Sequence, residues 1–151
     1  TGIKVENMVG DGCHMPQFED GQFDIVHSNS VIEHVGSFQN MAKFAAETRR
    51  VGNAYYMQTP NYWFPIEPHY AFPFIHWLPD TAKLAIFTNL SLGYAKRCSF
   101  ETALVRIDHT RMLSTRMMRH LYPDAAIKFE RFMLLRKSIT AVRGFQNVAE
   151  D

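Results

Sequence analysis

The sequence predicts a single α/β domain on three observations. Two short apolar segments, Phe23–Ser28 and Ala54–Thr59, flank a stretch of helical period over 38–50, and the chain closes on two segments that read as a hairpin. Strand, helix, strand in that order implies a right-handed parallel crossover, and the closing hairpin adds antiparallel strands. With 151 residues there is room for one ordinary domain. Apolar residues at 46% and charged residues at 21% are globular values, which exclude disorder, collagen and coiled coil. Sixteen basic and fifteen acidic residues give a net charge of +1, so no global field draws the chain to nucleic acid or anionic lipid. No apolar run reaches the roughly 18–20 residues that span a bilayer. Cys13 and Cys98 lack Cys-x-x-Cys spacing, so a disulfide framework is not expected and a reducing cytoplasm is the expected home.

Residues 3–9 alternate apolar and polar positions through Val5 and stop at Gly10-Asp11-Gly12, which reads as a strand ending in a tight turn. Pro16 and Glu19-Asp20-Gly21-Gln22 make the next dozen residues a loop, and Phe23–Ser28 has the apolar middle of a buried parallel strand. From Ser37, a candidate N-cap, Phe38, Met41, Ala42, Ala45 and Thr48 recur at three- and four-residue steps until Gly52. The second strand runs to Pro60, which cannot donate to a ladder. Prolines 65, 68 and 73 forbid regular structure over 62–77, where Tyr62, Trp63, Phe64, Tyr70, Phe72, Phe74 and Trp77 crowd together. Helices are expected over 81–90, capped by Asp80, over 100–107 and over 110–121, the last with Arg111, Arg116, Arg119 and His120 on a solvated side. The hairpin pairs 126–132 with 138–142 through a polar turn near Arg136-Lys137.

Three stretches carry a resemblance. Val9-Gly10-Asp11-Gly12-Cys13-His14-Met15-Pro16, Phe23-Asp24-Ile25-Val26-His27-Ser28-Asn29-Ser30-Val31-Ile32-Glu33-His34-Val35, and Glu47-Thr48-Arg49-Arg50-Val51 with Tyr55–Asn61 together resemble the class I methyltransferases that use S-adenosylmethionine. They are similar, in order, to that family's third strand with its acidic turn, its fourth strand, and its fifth strand with the preceding helix. The hairpin fits the sixth and seventh. The resemblance implies a partial Rossmann-like methyltransferase fold, parallel strands with a C-terminal antiparallel hairpin, over residues 1–151, with a variable aromatic-rich insertion at 62–107. The family's opening G-x-G-x-G turn and the acidic end of its second strand have no counterpart here, and Gly10-Asp11-Gly12 is no substitute. The chain is therefore expected to be the C-terminal part of such a domain.

What the resemblance implies for single residues stands beside a structural alternative in each case. Asp11 would accept from the adenine amino group, with backbone amides at Gly12 and Cys13 meeting ring nitrogens and Met15 on the adenine face; a turn aspartate between glycines is the alternative. Ser28 and Asn29, at the end of a parallel strand, would line the methionine end of the cofactor, or simply cap the next turn. His34, after Glu33, is the catalytic candidate, able to take a proton from an acceptor near neutrality, or a packed histidine. Asn61, His69 and His76 supply polar tips to an aromatic wall that would contact substrate, or cover a small aromatic core. No metal is expected, because His69 and His76 lack a further ligand at metal spacing. The reaction expected is methyl transfer from S-adenosylmethionine to a small-molecule acceptor, incomplete in this chain. Two other readings compete: a noncatalytic half-domain stabilised by self-association through an exposed strand edge, and an apolar ligand-binding module built on 62–90.

Overall fold

A computed structural model describes residue 2 and residues 4–144. Four strands form one sheet in the order β1-β2-β6-β5: β1 Phe23–Asn29, β2 Gly52–Pro60, β5 Ala126–Phe132 and β6 Leu135–Arg143. The crossover is as expected, with β1 parallel to β2 (Ile25 opposite Ala54, Asn29 opposite Gln58) and α1 Phe38–Val51 between them. The last strand β6 runs antiparallel to both its neighbours and so lies inside the sheet, not at its rim.

The period of α1 explains its placement. Ser37 accepts from Asn40 N as N-cap, Met41, Phe44, Ala45, Thr48 and Val51 are buried, and Gly52 passes directly into β2. A shorter helix α4, Thr115–Leu121, covers the same sheet face. The core between them joins Met41, Phe44 and Ala45 of α1, Tyr55 and Met57 of β2, Met118, Leu121 and Tyr122 of the α4 end, and Ile139 and Ala141 of β6. Alternation along β2 sends Tyr55, Met57 and Thr59 inward while Tyr56 stays 38% exposed on the other face.

Residues 62–108 build a second, smaller cluster. It holds a two-stranded ribbon, β3 Ile66–Glu67 and β4 Phe72–Pro73, a 3-10 turn at Ile75–Trp77, α2 Asp80–Asn89 and α3 Phe100–Asp108. Ile75, Phe87, Ala95 and Ala103 are its buried centre. The prolines expected to break regular structure leave only these two short strands and the 3-10 turn over 62–77. Of the aromatic residues there, Tyr70 and Phe72 pack on this cluster while Trp63, Phe74 and Trp77 stay exposed.

Four expectations need correction. Residues 4–9 are no strand: Val5, Met8 and Val9 are exposed, and no strand pairs with the outer edge of β1 among the described residues. Alternation shows what could pair, not that a partner is present. Ile3 lies outside the described residues. The helix expected over 110–121 starts only at Thr115, because Ser114 caps Met117 N and Leu113 is drawn into a bridge with Asn61. Arg111 is therefore not on that helix, and its amide donates to Glu33 O at 3.0 Å. The hairpin turns at Met133-Leu134, with Met133 at φ 54°, and Arg136-Lys137 lie in β6. Here tertiary pairing sets the register, and two exposed apolar residues occupy a tip usually given to polar ones. Pro79, not Asp80, is the N-cap of α2, and Asp80 pairs with Lys83 in its first turn.

The loop before β1 is fastened by Arg50, which donates to Phe18 O, Met15 O, Asp20 Oδ1 and both Glu47 carboxylate oxygens. That guanidinium, and the Met15 amide at 2.7 Å, hold the Glu47 carboxyl down at about 2. A carboxyl depressed in the folded state stabilises it above the ordinary value, and that contribution is lost as pH falls through the folded value. Glu47→Gln should lower the melting temperature by about 2–4 °C at neutral pH, the scale of one charge-assisted hydrogen bond in a chain of this size. The gap to the parent should close between about pH 4.5 and pH 2. Thermal melts across that range check it, and a gap independent of pH would refute the assignment.

Candidate functional site

The carboxyl ends of parallel strands are where an open α/β sheet places its ligands. At the end of β1, Asn29 is exposed and Ser30 takes a left-handed φ of 53°, its amide donating to Gln58 O at 3.0 Å. This turns the chain into the 3-10 turn Ile32–His34. A cleft of about 540 Å³ opens there, lined by Asn29, Ser30, Gln58, Phe64, Ile66 and Met112 among others. Gln58 and Ser30 were missed in the sequence, although Gln58 lies in the second predicted strand.

The expected cofactor residues fall into two neighbouring groups. Asp11, Cys13 and His14 line a cleft of about 590 Å³ with Val35, Asn40 and Lys43, at the start of α1. Ser28 and Asn29 line a groove of about 470 Å³ with Met15, Val26, Val31 and Phe44. Phe44 stands between the groups: a Cβ on Gly12 would approach its ring to 2.8 Å, so the glycine lets the turn lie against α1. Ser28 is buried, with 8% of its surface exposed. The Cys13 amide, expected to face a ring nitrogen, donates to Asp11 Oδ1 at 2.8 Å. Burial and the Asp11 carboxylate push the Cys13 thiol up, away from reactivity. The Asp11 carboxylate is an acceptor of the kind an adenine amino group needs, with Val35 beside it in a lining otherwise mostly polar.

A second constellation lies next to the β2 end. The Glu33 side chain is fully buried; its Oε2 accepts from Thr59 Oγ1 at 2.9 Å, and its Oε1 has no hydrogen-bond partner. His34 Nδ1 meets His109 O at 2.8 Å, and His34 Nε2 stands 3.0 Å from His69 Nε2. His69 Nδ1 contacts the carboxylate of Glu67, itself fully buried and accepting from Tyr70 N at 2.8 Å. The hydrogen bond to Glu67 holds the His69 imidazole above its ordinary value, against the opposing effect of burial. His34 and His69, singled out separately in the sequence, therefore meet.

The other two substrate candidates do not join them. Asn61 is 3% exposed and bonded to Arg136 O at 2.9 Å and to Trp63 N at 3.2 Å, fixing the exit from β2. His76 Nε2 lies 2.9 Å from Tyr62 O, which Trp77 Nε1 also reaches at 2.8 Å, and burial pushes the imidazole down. Neither lines the cleft at the strand ends.

Residues 2–54 match the methyltransferase domain family. No curated protein sequence matches the chain. Among solved structures, the chain is similar to an S-adenosylmethionine-dependent methyltransferase from Methanosarcina mazei, with TM-score 0.56 and 12% identity over 94% of this chain and 68% of that one. It is also similar to a putative zinc-dependent alcohol dehydrogenase from Rhodobacter sphaeroides, with TM-score 0.52 and 10% identity over 90% of this chain and 63% of that one. Identities this low speak for the fold alone, a sheet of parallel and antiparallel strands with helices, and the sequence match is confined to residues 2–54. The match over residues 2–54 and the fold together make the chain similar to the class I S-adenosylmethionine-dependent methyltransferases.

Proposed function

We propose that this chain forms the adenine side and the acceptor side of an S-adenosylmethionine-dependent methyl-transfer site, acting on a small molecule. The observation that carries the reading is the Asp11 cleft beside a groove that runs along β1 from Phe23 to Asn29, with Phe44 lining the groove and lying against Gly12, in a sheet of β1-β2-β6-β5 order. The cofactor brings an activated methyl group, so the protein's share is alignment and exclusion of water. Asp11 would accept from the adenine amino group, and the Gly12–Cys13 turn would set the ring's position. The 540 Å³ cleft beyond Asn29 suits the acceptor, with Ser30 and Gln58 as its polar contacts and Phe64 and Ile66 as its walls. His34, the expected proton acceptor, faces His69 Nε2 at 3.0 Å beside the buried Glu33 that bonds Thr59 of β2, and lies outside the lining of that cleft. Cys13 and Cys98 are free thiols in different clusters, which supports a reducing compartment such as the cytoplasm. No helix among the described residues is long and apolar enough to cross a membrane.

The glycine-rich turn that would hold the methionine and ribose has no counterpart in the described residues, so binding by this chain alone should be weaker than micromolar. Calorimetry with S-adenosylmethionine, on this chain and on the chain extended toward its natural N-terminus, tests both points. Micromolar binding by the short chain would refute the incompleteness. In the extended chain Asp11→Ala should weaken binding by about 1–3 kcal/mol, the scale of a charge-assisted hydrogen bond. An unchanged Kd would remove Asp11 from the site.

One observation favours a second reading. The outer edge of β1 is unpaired among the described residues, with Ile25 55% exposed beside it, so a second copy pairing edge to edge would give a noncatalytic dimer. Sedimentation separates the two, since the methyltransferase reading requires no dimer. The apolar-module reading has less support: the space inside the 62–108 cluster, between Tyr70, Ile75 and Phe87, is about 20 Å³ and admits no ligand.

A further inference from the structure

We propose that Glu33, His34 and His69 form a binding site for one divalent transition-metal ion of the zinc class. A ligand atom from each of the three lies within 4.8 Å of the others. They come from two places in the chain, the 3-10 turn after β1 and the loop after β3, and the fold brings them together.

Hydrogen bonding decides what the two rings present to each other. His34 Nδ1 faces a backbone carbonyl, and His69 Nδ1 faces the Glu67 carboxylate. Both partners only accept, so each neutral ring carries its proton on Nδ1 and offers a lone pair from Nε2. Two lone pairs 3.0 Å apart repel unless an electrophile lies between them. A shared proton would satisfy the rings alone. It would leave Glu33 Oε1, buried and without a partner, as it is. A metal ion satisfies all three groups at once.

The surroundings are those a metal site uses. A carboxylate or carbonyl on the far nitrogen of each histidine fixes the tautomer and the ring orientation and raises ligand basicity. Glu67, fully buried and held by Tyr70 N, does this for His69; His109 O does it for His34. Two imidazoles and one carboxylate suit zinc, cobalt or iron(II) over magnesium or calcium, which take oxygen ligands. Three protein ligands leave a coordination position open, and His34 is exposed, so that position faces solvent. An oxygen donor such as water or a hydroxyl suits it, and its proton would be acidified there. The inference does not rest on the methyl-transfer reading, because binding is measured without cofactor.

The test uses this chain stripped with a chelator, then titrated with Zn²⁺ by calorimetry and with Co²⁺ by visible absorbance. One equivalent should bind with a submicromolar Kd, and Co²⁺ should give the intense visible bands of a four- or five-coordinate site. His34→Ala and His69→Ala should each weaken Zn²⁺ at least 100-fold, and Glu33→Gln at least tenfold. Glu67→Gln, which removes only the positioning carboxylate, should weaken it by about 10–100-fold. His120→Ala, on α4 and outside the group, should change nothing. Absence of saturable binding, or binding that persists in His34→Ala and His69→Ala, overturns the proposal. Should Glu33→Gln fail to fold, the Co²⁺ spectrum of the parent chain and the two histidine variants still decide it.

Discussion

Tyr55→Ala should unfold the sheet domain or leave it close to unfolding, with a loss of about 3–5 kcal/mol, the cost of removing a buried aromatic ring. Tyr55 is fully buried at the middle of β2 and packs against Tyr122 with ring centroids 5.3 Å apart. Its hydroxyl donates to Asp124 Oδ1 at 2.9 Å, and the Arg143 guanidinium sits 4.8 Å above the ring. Arg143 in turn donates to Asp124 Oδ2 at 2.8 Å and to Gly52 O, so one side chain ties β2, β6 and the end of α4 together. Burial would raise the Asp124 carboxyl, yet the bonds from Arg143 and Tyr55 hold it below its ordinary value. Truncation therefore opens a cavity and also leaves a half-buried carboxylate short of a donor. Tyr55→Phe separates the two: it keeps the ring, loses only the bond to Asp124, and should cost about 1–2 kcal/mol. Urea denaturation of both variants checks this, and equal losses would show that packing plays no part.

How far the sequence reaches can be judged at particular elements. Helix α1 and strands β1 and β2 were legible because each carries its own signal: the Ser37 cap, the Met41-Phe44-Ala45-Thr48 face, the apolar centre of 23–28. Residues 110–114 were misread as helix because Met112 and Leu113 look the same whether they fill a helix face or bridge to a strand end. Only the pairing of Leu113 with Asn61 decides. Residues 4–9 fail for the same reason in reverse. Their alternation runs only through Val5, and a strand also needs a neighbour, which is not a local property.

The candidate site divides along the same line. Ser28 and Asn29 lie at the carboxyl end of β1, as the strand signal has it, whereas Asp11 follows no strand and lines a cleft at the start of α1. His34 and His69 were each visible as single residues, yet their contact was not, since 34 positions of chain separate them. Testing His69 against His76 for metal spacing looked only along the chain. The partners that matter, Glu33 and Glu67, are charged residues buried completely, and burial of a carboxylate cannot be read from its neighbours in sequence. Asn61 is the converse case: a polar residue at a strand end that spends its hydrogen bonds on the backbone of β6.

Gly93→Ala should release the second cluster while leaving the sheet in place. Gly93 adopts φ +53° in the turn where Leu92 bridges Ala95, and its backbone lies against Tyr70. A Cβ there would be driven into the Tyr70 carbonyl oxygen, with the Tyr70 carbonyl carbon at 3.0 Å and Ala71 O at 3.2 Å. All three are backbone atoms, so no side chain can swing aside, and the turn carrying Tyr70 between β3 and β4 must move. That carbonyl also accepts from Tyr94 N at 2.9 Å, so the shift breaks the bond that seats the turn. Adding the left-handed penalty, the overlap and the lost bond gives about 3–5 kcal/mol. The loss falls on the cluster of Ile75, Phe87, Ala95 and Ala103, because Tyr70 packs on Phe87 with ring centroids 4.9 Å apart. In Gly93→Ala hydrogen exchange should quicken over 66–108, with protection in β2 and β6 retained. Equal loss of protection in β2 would mean that the two clusters unfold as one unit. The metal site would then be lost with either, because His69 hangs from the loop after β3 and reaches His34 only while Tyr70 keeps Glu67 in place.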